Sequence, residues 1–156
     1  ERITMKKVEI KIIDPSLFDH TDPHILPEYA TVGSAGLDLR SAEDYELTPG
    51  ESHTYRTGLA MYLGDFELCG LLVPRSSLGI KKIHLTNTLG IIDADYQGEL
   101  MVPLTNNGET GMLIEKGQRI AQLVIVPVVQ VMWQPVLDFS GITMRSIGGF
   151  GSTGTK

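Results

Sequence analysis

Along residues 6–14 the chain alternates, with Val8, Ile10 and Ile12 on one face and charged side chains between them, until Pro15 interrupts the run. A period of two marks a half-exposed strand, so the first strand is predicted there. A second, short strand is predicted over 34–41, an edge strand whose single carboxylate is Asp38. Two longer strands follow over 53–63 and 66–73, on either side of a Gly64-Asp65 turn. Before them, Pro49-Gly50 predicts a type II turn, with glycine supplying the positive φ. Residues 74–79 close the second long strand, and 83–89 lead into 90–99. There, Leu89, Ile91 and Ile92 on one side and Leu100, Val102 and Leu104 on the other enclose Asp93, Asp95, Tyr96 and Gln97. Turn formers bounded by apolar residues predict a β-hairpin with a polar tip. Asn106-Asn107-Gly108 predicts a further hairpin turn, followed by strands over 111–115, 119–126 and, beyond Pro127, 128–132. No long amphipathic stretch competes as a helix. Many short strands separated by turn signals predict an all-β barrel or sandwich.

Size and charge narrow this picture. The 156 residues suit one domain, here 1–144, with 145–156 as a separate arm. A hydrophobic content of 42% and a charged content of 21% are those of a soluble globular protein. No apolar run approaches the roughly 18 residues of a membrane span, so no membrane partner is expected. A net charge of −6 argues against a nucleic-acid groove, which relies on a broad basic surface. A small anionic ligand needs only a local set of donors and a cation. Cys69, the single cysteine, stands among leucines and reads as a buried, inert thiol suited to a reducing cytoplasm. The polar N-terminus shows no secretory signal, and Met5-Lys6-Lys7 reads as a natural start, with residues 1–4 as an expression remnant. His20 and His24 have the spacing of two metal ligands on a helix, but Pro23 between them makes a solvated loop the better reading.

The last dozen residues change character. They are rich in glycine and hydroxyls and carry Arg145, Phe150, Ser152 and Thr153. Composition alone gives a flexible tail. The order of residues gives more: a backbone free to wrap, a guanidinium and two hydroxyls suit a phosphate chain, and one aromatic suits a flat base.

Five polar stretches thus stand out, at 35–41, 74–79, 87–98, 117–123 and 145–154. In this order and spacing they resemble the five motifs of the trimeric deoxyuridine triphosphate nucleotidohydrolases, the dUTPases. The most specific parts are Gly90-Ile91-Ile92-Asp93-Ala94-Asp95-Tyr96-Gln97-Gly98 and Gly148-Gly149-Phe150-Gly151-Ser152-Thr153-Gly154. The resemblance implies a distorted, jelly-roll-like β-barrel, a homotrimer with active sites shared between subunits, and Mg2+-assisted hydrolysis of dUTP to dUMP and pyrophosphate. Such an activity keeps uracil out of DNA and supplies dUMP for thymidylate synthesis. By resemblance, Asp93 orients and deprotonates the attacking water, a role typically worth about 10²–10⁴ in rate. Tyr96 packs under the deoxyribose. Asn87 and the adjoining backbone, with Ile92, read uracil. Arg75, Ser76, Ser77 and Gln122 bind the triphosphate, and Asp38 reaches the metal through water. Phe150 and Gly151 cover the base, while Arg145, Ser152 and Thr153 hold the γ-phosphate, the tail closing a neighbouring subunit's site.

The chain departs from the family pattern at Ser77 and Ser146, where glycine is usual, and at Ala94, where serine is frequent. A serine at a position needing positive φ would cost stability. Two other classes compete. The related dCTP deaminases share the Arg75-Ser76-Ser77-Leu78 string, but the position of their catalytic glutamate is Pro103 here, with Glu99 close by. A non-catalytic nucleotide-binding trimer would not require Asp93, Tyr96 and the tail together, and a plain jelly-roll module would require none of the five stretches.

Overall fold

The computed structural model describes residues 5–17, 26–144 and 146–147. Alternation in the sequence becomes alternation in burial most clearly in β8 (Glu99–Asn106), where Leu100, Val102, Leu104 and Asn106 point inward and the residues between them are half-exposed. β8 lies between β4 (Ser52–Tyr62) and β6 (Ile83–Leu85), and β1 (Glu9–Ile12) flanks β4. The second sheet runs β2 (Leu37–Arg40), β10 (Arg119–Pro127), β5 (Leu68–Pro74) and β7 (Gly90–Ile92). β3 (Tyr45–Leu47) and β9 (Met112–Ile114) form a two-stranded ribbon. Every pair is antiparallel. The inward faces meet in one core containing Leu39, Leu47, Tyr55, Val102, Leu104, Ile114 and Ile120, each essentially inaccessible to water. The all-β expectation holds, and β2 is the edge strand that the pattern gave. Cys69 is buried. Among the described residues, no helix is long and apolar enough to cross a membrane.

Three expectations are corrected. Residues 90–99 are not a paired hairpin: Ile92 pairs with Gly70 on β5, whereas Glu99 pairs with Ala60 on β4, so the two arms enter different sheets. Residues 106–108 likewise join β8 to β9, which do not pair with each other. Alternation tells which side chains are buried, but in two packed sheets either sheet can satisfy a buried face. Neither Asn107 nor Gly108 takes positive φ. The turn is instead built on the Asn106 side chain, whose Oδ1 accepts from Gly108 N–H at 2.8 Å while Nδ2 donates to the carbonyls of Leu47 (2.8 Å) and Thr110 (2.9 Å). After Pro74 the chain forms a short helix, α1 (Ser76–Ile80), anchored by buried Leu78. Finally, residues 128–132 form no strand: Val128 N–H bonds to Glu67 O, and the stretch then leaves the sheet.

Pro103 sits in the middle of β8, where a missing N–H would normally break a ladder. Its carbonyl accepts from Thr86 N–H at 3.0 Å, and Thr86 lies just beyond the end of β6. The absent donor therefore falls where the neighbouring strand has ended. The Pro49-Gly50 turn is type II as read, with Gly50 at φ +79° and Glu51 N–H bonded to Thr48 O.

Candidate active site

Two of the candidate side chains, Arg75 and Gln122, converge on the carboxylate of a third, Asp38. Asp38 Oδ1 lies 3.2 Å from Arg75 Nε and accepts a weaker bond from Gln122 Nε2 at 3.5 Å. Arg119 Nη1 donates to the other oxygen, Oδ2, at 3.1 Å. Asp38 and Arg75 are largely buried, at 17% and 22% side-chain exposure, so this pairing is shielded enough to hold geometry. Arg75 also donates from Nη1 to Arg119 O at 3.2 Å, which ties the end of β5 to the start of β10.

Simple alternation would send Arg119 and Gln122, three residues apart, to opposite faces of β10. A bulge brings them together. Arg119 pairs with Arg40 and Ala121 with Leu39, so Ile120 is the extra residue on β10. Ile120 and Ala121 both turn into the core, and Arg119 and Gln122 both reach Asp38. The preceding turn is pinned as well. Gly117, at φ +83°, donates to Ser41 O, and its carbonyl accepts from Arg40 Nη1 at 2.8 Å. Arg119 is the functional candidate that reading the sequence missed. The signal was its place in the 117–123 stretch, but only the bulge reveals which way it faces.

Ser76 and Ser77 stand exposed at the start of α1. Ser77 has no positive φ, so its departure from glycine carries no backbone penalty. Ser146 does, at φ +43°, held by bonds from its N–H to the carbonyl and hydroxyl of Thr143.

Asp93 follows β7 in an exposed turn whose carbonyl accepts from Tyr96 N–H at 3.1 Å. Ala94 is buried and its carbonyl accepts from Gly64 N–H, anchoring the turn to the barrel. Tyr96 folds back over Gly98 and donates from its hydroxyl to Glu99 O at 2.9 Å, leaving the residue 42% exposed. A Cβ at Gly98 would sit 2.6 Å from Tyr96 Cζ, so the glycine is what admits the ring. Ile92 is half-buried and Asn87 exposed. Glu99, the carboxylate nearest the deaminase position, is already engaged: Oε1 accepts from Gly58 N–H at 2.8 Å and Oε2 from Arg56 Nε at 3.2 Å.

Within one chain the candidates fall into two groups. By register, Asp93 continues past the Gly70 end of β5, while Arg75 lies past Val73 at the other end. Six residues of strand separate the two levels, on the order of 20 Å at the usual rise per residue. Arg145, Phe150, Gly151, Ser152 and Thr153, like His20 and His24, lie outside the described residues.

The donor set also bears on a metal. Among the described residues, no group of three or more His, Cys, Asp or Glu side chains could cage an ion. Asp38 has a cationic donor on each oxygen, which disfavours direct ligation. A hydrated Mg2+ that takes its remaining ligands from phosphates fits such a single carboxylate, bound through water.

The molecule is thus an all-β, jelly-roll-like barrel with an Arg-bound carboxylate at one sheet end and an Asp-Tyr turn at the other. The family description dUTPase matches residues 22–154. Curated relatives called deoxyuridine 5'-triphosphate nucleotidohydrolase include one from Acinetobacter baumannii, 49% identical over 96% of this chain and 99% of its own length. Another, from Cronobacter sakazakii, is 49% identical over 97% of this chain and 99% of its own length. Among solved structures, the dUTPase of Staphylococcus bacteriophage 80alpha with dUpNHpp superposes with a TM-score of 0.85 at 28% identity, over 96% of this chain and 99% of the phage chain. The chain belongs to the dUTPase family and is, by that membership, a dUTP-hydrolysing enzyme.

Proposed function

We propose that this chain cleaves dUTP between the α- and β-phosphates with two groups of its residues meeting across a subunit junction. The carrying observation is the separation of Arg75 and Asp38 from Asp93 and Tyr96 along β5, which is longer than a nucleoside triphosphate site built by one sheet end can bridge. In a homotrimer with shared sites, the phosphate-gripping end of one chain faces the Asp93 turn of the next. The apolar segment beyond Pro127 supports an assembly. Trp133, Phe139, Leu137 and Ile142 are each at least 87% exposed in the single chain, a concentration that another protein surface would cover.

In this reading Asn87 and Ile92 read uracil and Tyr96 lies under the deoxyribose, where a 2′-hydroxyl would clash. Arg75, Ser76, Ser77 and Gln122 hold the triphosphate, the guanidinium offering a planar fork of donors. Asp93 accepts the proton of the water that attacks the α-phosphorus, and the guanidiniums stabilise the charge gathering on pyrophosphate. Asp38 would hold Mg2+ through water, and the ion when bound neutralises phosphate charge. Arg145, Phe150, Gly151, Ser152 and Thr153, in the 145–156 arm, close over the site. The enzyme would work in the cytoplasm, a setting that the buried, unpaired Cys69 suits.

The test is Asp93→Asn. It should keep the fold and dUTP affinity while lowering kcat by about 10²–10⁴, as loss of a general base does. Mixing Asp93→Asn with Arg75→Ala chains should restore activity if sites are shared, because some junctions then pair two intact halves. No recovery on mixing would return both groups to one chain.

A further inference from the structure

Arg75, Arg119 and Arg40 stand side by side at one end of the second sheet, contributed by three adjacent strands. Arg75 follows β5, Arg119 opens β10, and Arg40 closes β2 as the cross-strand partner of Arg119. At the usual spacing between strands the row is on the order of 10 Å wide. Arg75 and Arg119 share Asp38. Arg40 lies two residues beyond Asp38 on the same face of β2, with buried Leu39 between them, and takes no part in that sharing. It donates from Nη1 to Gly117 O at 2.8 Å, and among the described residues no carboxylate pairs with it. Arg40 and Arg119 open onto one cleft of about 60 Å³, lined also by Asp38, Leu26, Glu28 and Ala30. Sites for whole organic ligands run to about 300 Å³ or more, so this cleft is too small for a nucleoside and suits a phosphate-sized group. Two guanidiniums give that group planar forks of donors.

We infer that the cleft between Arg40 and Arg119 is an exit subsite for pyrophosphate, an assignment that rests on the triphosphate lying against Arg75, as proposed above. Cleavage of dUTP frees a multiply charged anion beside Arg75. Base and sugar no longer tether it once the bond to the α-phosphate is broken. The next cation along the row that is not shared with Asp38 is Arg40, so the anion gains a second guanidinium by moving one strand outward. Glu28, on the lining of the same cleft, repels the anion and keeps the hold weak. A weak hold is what a departing product requires, because slow product release would limit turnover.

The experiment titrates inorganic pyrophosphate, by calorimetry, into the enzyme saturated with dUpNHpp, whose own phosphates then occupy the triphosphate grip. Wild type should still bind pyrophosphate. Arg40→Gln should bind it about tenfold more weakly, the worth of one charge-assisted contact, and Arg40→Lys should keep most of the affinity. Glu28→Gln should bind it roughly threefold more tightly. No binding to the saturated enzyme, or unchanged affinity in either Arg40→Gln or Glu28→Gln, overturns the inference. So does an equal loss in Arg40→Gln and Arg40→Lys with a lowered melting temperature, which would reduce Arg40 to its bond with Gly117. If Arg75→Ala binds dUpNHpp as tightly as wild type, the triphosphate grip itself is misplaced, which separates the two failures.

Discussion

Arg119 Nη1 meets Asp38 Oδ2 at 3.1 Å, joining residues 81 apart in the chain through a one-residue bulge in β10. Arg75 takes the other oxygen. With two guanidiniums around one carboxylate, the cluster keeps a net positive character, and Arg119 would hold Asp38 in place if Arg75 turned to a phosphate as proposed.

Replacing Arg119 with Met, similar in length but uncharged, should therefore raise KM for dUTP about three- to tenfold, with a smaller effect on kcat. Arg119 is nearly half-exposed, so the fold should lose no more than about 1 kcal/mol. Lysine should rescue only in part, since it lacks the planar fork. Steady-state kinetics over a Mg2+ titration check this, and an unaltered KM would detach Arg119 from the site.

Gly98→Ala should act on Tyr96. The added Cβ falls 2.6 Å from the Tyr96 Cζ, so the ring must swing away and lose its bond to Glu99 O. Discrimination between dUTP and UTP should then drop toward that of Tyr96→Ala, while Tyr96→Phe keeps most of it. Competition assays with the two nucleotides decide the matter; full selectivity in Gly98→Ala would mean that the ring position is irrelevant to the sugar.

Asn106→Leu should cost about 2–4 kcal/mol, because three side-chain bonds disappear and the carbonyls of Leu47 and Thr110 are left without that donor near the core. Urea unfolding measures it. The folded fraction should retain wild-type kcat/KM, since the Asn106 side chain bonds to Leu47, Gly108 and Thr110 and to none of the candidate site residues.

Acid stability should depend on Glu51. The Tyr45 hydroxyl donates to its carboxylate, Thr48 N–H and Oγ1 add two further bonds, and its pKa is held down at about 2 from an ordinary 4.5. A carboxyl depressed by folding stabilises fully above pH 4.5 and loses that contribution as pH falls from 4.5 toward 2. Glu51→Gln should be less stable at pH 7 and show a flatter fall in melting temperature over that acid window. Parallel melting curves for the two proteins between pH 2 and 5 would contradict the account.

Much of the fold was legible because burial follows local alternation. The stretch over β8 shows which side chains turn inward, and Pro49-Gly50 shows its turn type, since glycine alone supplies φ +79° cheaply. Pairing partners were not legible. The arms around Asp93 look like one hairpin in sequence and belong to two sheets in space, because an apolar face is equally satisfied by either layer.

The sequence by itself determined the all-β class, the polar stretches, and the residue types that a phosphate chain and a pyrimidine require. Tertiary structure decided how those residues are grouped. The bulge at Ile120 put Arg119 beside Asp38, and the β5 register set Arg75 and Asp93 at opposite ends of a sheet. Each depends on backbone pairing between distant segments, and no local pattern of side chains encodes such pairing on its own.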